Sequence, residues 1–197
     1  KIKEAYIRSM RKVLQLLSVV VVGIAVALML ISPELVLIFG SPKYREAVYV
    51  IPPVAASGCF IFIYNILSMP QFYYEKTQFL MAASMAAAGA NVVLNFIFIR
   101  LFGYIAAGYT TLACYMLYSV GHYIVSKRIL VNEGIQENLM NPGFLLACSV
   151  FLIGASIICN LIFPYRILRY AILLASAGLV FWKKELLLKT MADIRKK

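Results

Sequence analysis

Two asparagines four residues apart, Asn91 and Asn95, lie inside an apolar run and share one face of the helix that such a run predicts. Each amide carries donors and an acceptor, which suit either a sugar hydroxyl or a neighbouring helix. A second set, Thr111, Tyr115, Tyr118 and His122, follows i, i+4, i+7 and i+11 and draws a polar and aromatic stripe along the next apolar segment. Such a stripe can line a wet cavity, where a ring stacks on a sugar face while its hydroxyl forms hydrogen bonds. It can equally pack helices together or mark an interface, where Tyr is enriched. Asn65 and Asn160 are further amides inside apolar runs. Arg100 stands where its run ends, and its guanidinium can grip a diphosphate through paired hydrogen bonds or anchor a helix at the interface.

These residues do not assemble into a catalyst. His122 is the single histidine and has no carboxylate at metal-ligand spacing, so no metal site is expected. Cys59, Cys114, Cys148 and Cys159 fall inside apolar runs without CxxC spacing and read as small core residues. Ser, His and Asp are not grouped, no acids pair within an apolar run, and no glycine-rich phosphate loop is present. Neither an enzyme nor a cofactor is expected. Glu34, Glu46 and Glu75 sit at or beyond the ends of the runs, which leaves no obvious carboxylate to hold a driving Na⁺ or H⁺.

The elements that must position these groups are set by composition. Apolar residues make up 63% and charged residues 14% of the 197, and the mean hydropathy is +0.87. Those values exclude an ordinary soluble domain and predict an all-α integral membrane protein. A spanning window gives Val13–Ile31, Ala47–Met69, Thr77–Ile99, Tyr104–Val125, Phe144–Phe163 and a shorter run, Ile167–Trp182, hence about six transmembrane helices. Arg169 and Lys183 flank the sixth and are expected to snorkel to opposite interfaces. The organisation predicted is four spans over 1–128, a cytoplasmic connector over 129–143, and two terminal spans with a basic tail over 144–197.

The net charge of +11 would suggest nucleic acid in a soluble protein, but these cations lie between apolar segments and report topology instead. Alternating the sides groups fourteen Lys and Arg, among them Lys1, Lys3, Arg8, Arg11, Lys12, Lys76, Lys127, Arg128 and the six from Lys183 to Lys197, against Lys43, Arg45, Arg100, Arg166 and Arg169. Both termini are therefore expected in the cytoplasm of a cell that carries the protein in its cytoplasmic membrane. The charged start at Lys1, without an initiator Met, suggests a piece of a longer polypeptide.

Local signals refine the helices. Ser32-Pro33-Glu34 is expected to end the first span and leave Leu35–Phe39 at the outer interface. Pro52 and Pro53 should bend the second span, which would put Asn65 in a bent helix. Ala82, Ala86 and Ala90, with Ala83 and Ala87 beside them, have small-xxx-small spacing and predict a closely packed face. Glu133 and Glu137, at helical spacing in the connector, read as a solvated face.

Lys76-Thr77 leading into NVVLNFIFIRLFGYIAAGYTTL (Asn91–Leu112) resembles the polysaccharide flippases of the MOP (MATE-like) superfamily. There a paired-Asn helix meets a Phe-Gly or Tyr-Gly turn, and a Gly-Ala-Ala-like segment with Thr opens the next helix. SPELVLIFGSPKYREAVYVIPPVAASGCF (Ser32–Phe60) is similar to the family's "PE", "lfG" and "Y..A" block. The two blocks cover about the middle half of the chain. Arg100 stands where the family commonly has Pro, and Tyr109 where it has a small residue.

The resemblance implies the C-terminal lobe of a MATE-like fold plus two terminal helices, with an N-terminal lobe supplied by the same polypeptide. It also implies alternating-access translocation of a lipid-linked (undecaprenyl-diphosphate) oligosaccharide in envelope polysaccharide biosynthesis. The partners implied are the lipid bilayer, that substrate, and a polysaccharide polymerase or glycosyltransferases, with no nucleic acid. Asn65, Asn91, Asn95, Thr111, Tyr115, Tyr118 and His122 are the cavity candidates and Arg100 the diphosphate candidate. A cation-coupled multidrug antiporter of the same superfamily is the alternative, and a membrane transferase a third.

Overall fold

The computed structural model describes residues 2–40 and 42–182, and the described residues form helices and turns without strands. The helices are α1 (Ile2–Phe39), α2 (Ile51–Tyr73), α3 (Gln78–Phe102), α4 (Ala106–Asn132), α5 (Pro142–Ile162) and α6 (Arg166–Trp182), with a 3-10 segment, Pro42–Val50, between α1 and α2. Lys1 and the tail from Lys183 to Lys197, on which much of the charge bias rests, lie outside the described residues.

Four of these helices are long and apolar enough to cross a membrane: Lys3–Phe39, Lys43–Tyr73 (which includes the 3-10 segment), Gln78–Phe102 and Pro142–Ile162. The other two expected spans fall outside that set. α4 has the length, at 27 residues, but its apolar run is interrupted by Thr, Ser, Tyr and His and ends in Lys127 and Arg128. α6 is short, at 17 residues, and opens on Arg166 and Arg169.

α2 is the central element. It packs on α1, α4 and α5, and its buried residues Cys59, Phe60, Ile63 and Leu67 join Met29 and Leu30 of α1 and Leu152 of α5 in one core. Within α4, Gly108 sits so close to α2 that a Cβ there would lie 2.6 Å from Pro53 Cγ. α3 contributes no buried residue and packs chiefly on α4.

Several expectations are corrected. α1 does not stop at Pro33 but runs on to Phe39. Proline removes the N–H that would serve the Met29 carbonyl, and the Ser32 hydroxyl donates to that oxygen instead at 2.8 Å. At 38 residues the helix is about 57 Å long, so Leu35–Phe39 extends it rather than lying as a separate interfacial piece. Pro52 and Pro53 occupy the first turn of α2, where no intrahelical donor is required. They stand at the start of the helix, just after the 3-10 segment, and the proline inside α2 is Pro70.

The alanine stripe also faces differently. Ala82, Ala86 and Ala90 are exposed, while Ala83 and Ala87, one position on, are half-buried in register with Asn91 and Leu94. The asparagines select the register, because their amides must find partners on α4 and so turn the 83/87/91 side inward.

The connector is shorter than predicted. α4 continues to Asn132, and Gly134, at φ 76°, takes the left-handed position while Ile135 N–H bonds back to Leu130 O at 2.8 Å. Glu133 and Glu137 therefore share no helical face. Glu137 instead accepts from Arg8 and Arg11 of α1, and Ile135, Leu139 and Met140 are buried beneath it.

Arg169 is not a snorkelling residue. It is 3% exposed and places Nη1 and Nη2 on the two oxygens of Glu34 at 2.8 and 2.9 Å. Lys183, its expected counterpart, lies outside the described residues.

Candidate functional site

Two polar clusters sit on α2, α3 and α4, one near each end of the α3–α4 hairpin. Near the α3–α4 turn, the Thr110 hydroxyl donates to Asn95 Oδ1. Asn95 Nδ2 donates to Asn91 Oδ1 at 2.9 Å, and Asn91 Nδ2 donates to Thr111 Oγ1 at 3.3 Å. Thr111 passes its own proton to the Ala107 carbonyl at 2.8 Å. The chain of donors and acceptors thus runs in one direction from α4 to α3 and back. It leaves each amide with a second N–H, available to a neighbouring helix or to a hydroxylated ligand. Both asparagines are half-buried.

Toward the α2–α3 turn, aromatic rings gather around His122. Tyr64 of α2 lies parallel to Tyr115 at 6.3 Å, meets Tyr118 edge-on at 4.6 Å and stacks on His122 at 5.7 Å. Tyr118 and Phe79 approach the imidazole edge-on at 4.4 and 5.5 Å. His122 is fully buried, and its Nδ1 lies 2.8 Å from Gln71 Nε2, itself fully buried on α2. If the amide donates, the proton of the imidazole is on Nε2. In this arrangement Nε2 of His122 and Oε1 of Gln71 have no partner. The Tyr118 hydroxyl shares a hydrogen bond with Ser84 of α3 at 2.8 Å, so the same ring ties all three helices.

The structure therefore unites Asn91, Asn95 and Thr111 in one cluster and Tyr115, Tyr118 and His122 in the other. Asn65 is exposed, its Nδ2 donates to the Ile61 carbonyl of its own helix at 2.8 Å, and its side chain also interacts with Tyr64 at the edge of the aromatic cluster. Arg100 stands apart, exposed in the last turn of α3 with its guanidinium 3.8 Å above the Phe96 ring. That is a cation–π contact within α3, and the charge complements the helix C-terminus. Asn160 bridges elements, donating to Tyr49 O at 3.2 Å and to the Tyr109 hydroxyl at 3.1 Å.

Five participants were not anticipated: Tyr64, Gln71, Phe79, Ser84 and Thr110. Tyr64 and Gln71 are seven apart and so lie on one face of α2, a spacing visible in the sequence. Nothing local pointed that face toward His122. Among the described residues no cluster of three His, Cys, Asp or Glu could hold a metal, and the four cysteines are buried and free. The arrangement can stack on flat apolar faces and exchange neutral hydrogen bonds. No family model, no curated protein and no solved structure matches the chain.

Proposed function

We propose that this chain is the MATE-like C-terminal part of a multi-pass transporter that carries a lipid-linked (undecaprenyl-diphosphate) oligosaccharide across the cytoplasmic membrane by alternating access. In this reading all six helices insert and both termini face the cytoplasm. The observation that carries it is the pair of uncharged clusters on α2–α4. Rings that can stack on sugar faces and amides with spare donors sit inside a hairpin whose other faces are apolar. A glycan crossing hydrocarbon needs such a path, because each unpaired hydroxyl or phosphate costs several kcal/mol there, on the order of 2–7 for a neutral group. Rocking of rigid helix groups supplies access without a covalent step.

Asn91, Asn95, Thr111, Tyr115, Tyr118 and His122 are then glycan contacts, reached when the hairpin opens toward the cavity, and Asn65 lines the cavity from α2. Arg100, at the hairpin's end, is the diphosphate contact. The test is flipping of a fluorescent undecaprenyl-diphosphate oligosaccharide by the full-length protein in proteoliposomes, with Asn95→Ala and Tyr115→Ala beside it. Helix packing alone predicts for Asn95→Ala a stability loss of about 0.6 kcal/mol and unchanged flipping, whereas a glycan contact predicts flipping lost well beyond that. Ion-driven export of a small cation without any flipping would overturn the reading.

A further inference from the structure

We propose that a groove between α1, α5 and α6 is a binding site for an anionic glycerophospholipid, with one acyl chain in the groove and the headgroup at the exposed Arg166. The groove has a volume of about 290 Å³ and is walled by Val26 and Leu30 of α1, Phe151, Gly154 and Ile158 of α5, and Ile172 of α6. That is at the small end of ligand sites, roughly 300 Å³, and suits a single hydrocarbon chain.

Its end is polar, with two arginines and the Glu34 carboxylate. Arg169 lies one turn from the groove residue Ile172 on α6, and its Nη1 donates to the carbonyl of Leu30, another wall residue, at 2.8 Å. Glu34 occupies Nη1 and Nη2 and also accepts from the Tyr170 hydroxyl at 2.9 Å. The Nε of this nearly fully buried arginine has no partner. A buried N–H left without an acceptor is costly, and Arg169 is committed to Glu34 and Leu30 through its other nitrogens. Arg166, three residues earlier and exposed, holds its guanidinium 5.6 Å from the Tyr170 ring. Two arginines against one carboxylate leave a net positive charge where a lipid phosphate would lie. The occupant that fits both ends is therefore a diacyl lipid with an anionic headgroup.

The groove also provides its own control. A Cβ at Gly154, a wall residue of the groove, meets nothing within 4 Å, so Gly154→Leu directs its added side chain into open space beside the groove. The full-length protein is reconstituted with phosphatidylglycerol carrying a diazirine in one acyl chain, illuminated, digested and mapped by mass spectrometry. Labelling is expected on α5 between Phe151 and Ile158, competed by phosphatidylglycerol and not by phosphatidylcholine. Gly154→Leu should abolish it. Arg166→Gln should weaken phosphatidylglycerol competition about tenfold, the loss of one charge-assisted contact, with thermal unfolding unchanged in both variants. Equal labelling of exposed Leu161 and Leu174, or labelling that survives Gly154→Leu, would overturn the proposal. Equal competition by phosphatidylcholine overturns the headgroup assignment, competition by inorganic phosphate alone removes the chain from the site, and stronger competition by undecaprenyl phosphate assigns the groove to a polyprenyl chain instead.

Discussion

His122 and Gln71 show how a polar pair can be specific without being fully satisfied. Each buries one orphan atom, and their mutual bond at 2.8 Å is the compensation. Removing one partner leaves the other bare, so Gln71→Met or His122→Leu alone should cost about 1–3 kcal/mol, whereas replacing both by apolar groups should recover most of that loss. A double-mutant cycle on thermal unfolding in detergent measures it, and strictly additive losses would show that the two side chains are not coupled. At this scale the sequence was partly legible. The four-residue spacing of Asn91 and Asn95 put them on one face, as found, and the Thr111–His122 stripe was a real face of α4. The clustering was legible because helical period acts within one segment. Gln71, Tyr64 and Phe79 were missed because they approach His122 from other helices, and no periodicity reports a contact across helices.

The helices differ in what defines their ends and their neighbours. Gly108 is where α4 meets the start of α2 most closely, and Gly108→Ala should cost about 1–3 kcal/mol by overpacking against Pro53. Gly154→Ala, facing open space, should be close to neutral, and paired unfolding curves distinguish them. The connector depends on charge. Hydrogen bonds from Arg8, then from Arg11, hold the Glu137 carboxyl below its ordinary value of 4.5. A carboxylate depressed in this way contributes stability that is complete above the unfolded-state value and is lost as pH falls through the lower folded one. Hydrogen exchange at Ile135–Met140 should therefore accelerate, relative to Glu137→Gln, only as the pH drops below 4.5. It should also accelerate in about 1 M salt, where the screening length is about 3 Å. Exchange indifferent to both would mean that the buried Ile135, Leu139 and Met140 hold the connector unaided. The sequence located α2, α3, α5 and α6 to within a few residues, but α1 starts at Ile2 rather than Val13 and α4 ends at Asn132 rather than Val125. It misplaced the end of α1, because a proline's effect depends on whether its orphaned carbonyl finds another donor.

Across the whole molecule α1 is tied at both ends to the C-terminal half, by Glu137 on Arg8 and Arg11 and by Arg169 and Tyr170 on Glu34. Arg169→Met should destabilise the protein by about 3 kcal/mol, the low end for breaking a buried pair because Glu34 keeps some exposure, and Glu34→Leu added to it should restore most of the loss. Melting temperatures of the two variants check this; a double variant no better than the single would place the loss in packing. The sequence alone determined the all-helical class, the apolar segments and which residues share a helical face. Composition and a period of 3.6 residues are properties of a segment and need no partner. The tertiary structure decided the rest: that Arg169 turns inward to Glu34, that Ala83 and Ala87 rather than Ala82 and Ala86 meet α4, that Arg100 stands apart, and that a groove opens beside Gly154. Each of those outcomes rests on which group on another helix satisfies a buried donor, a charge or a volume, and that pairing exists only once the helices have packed.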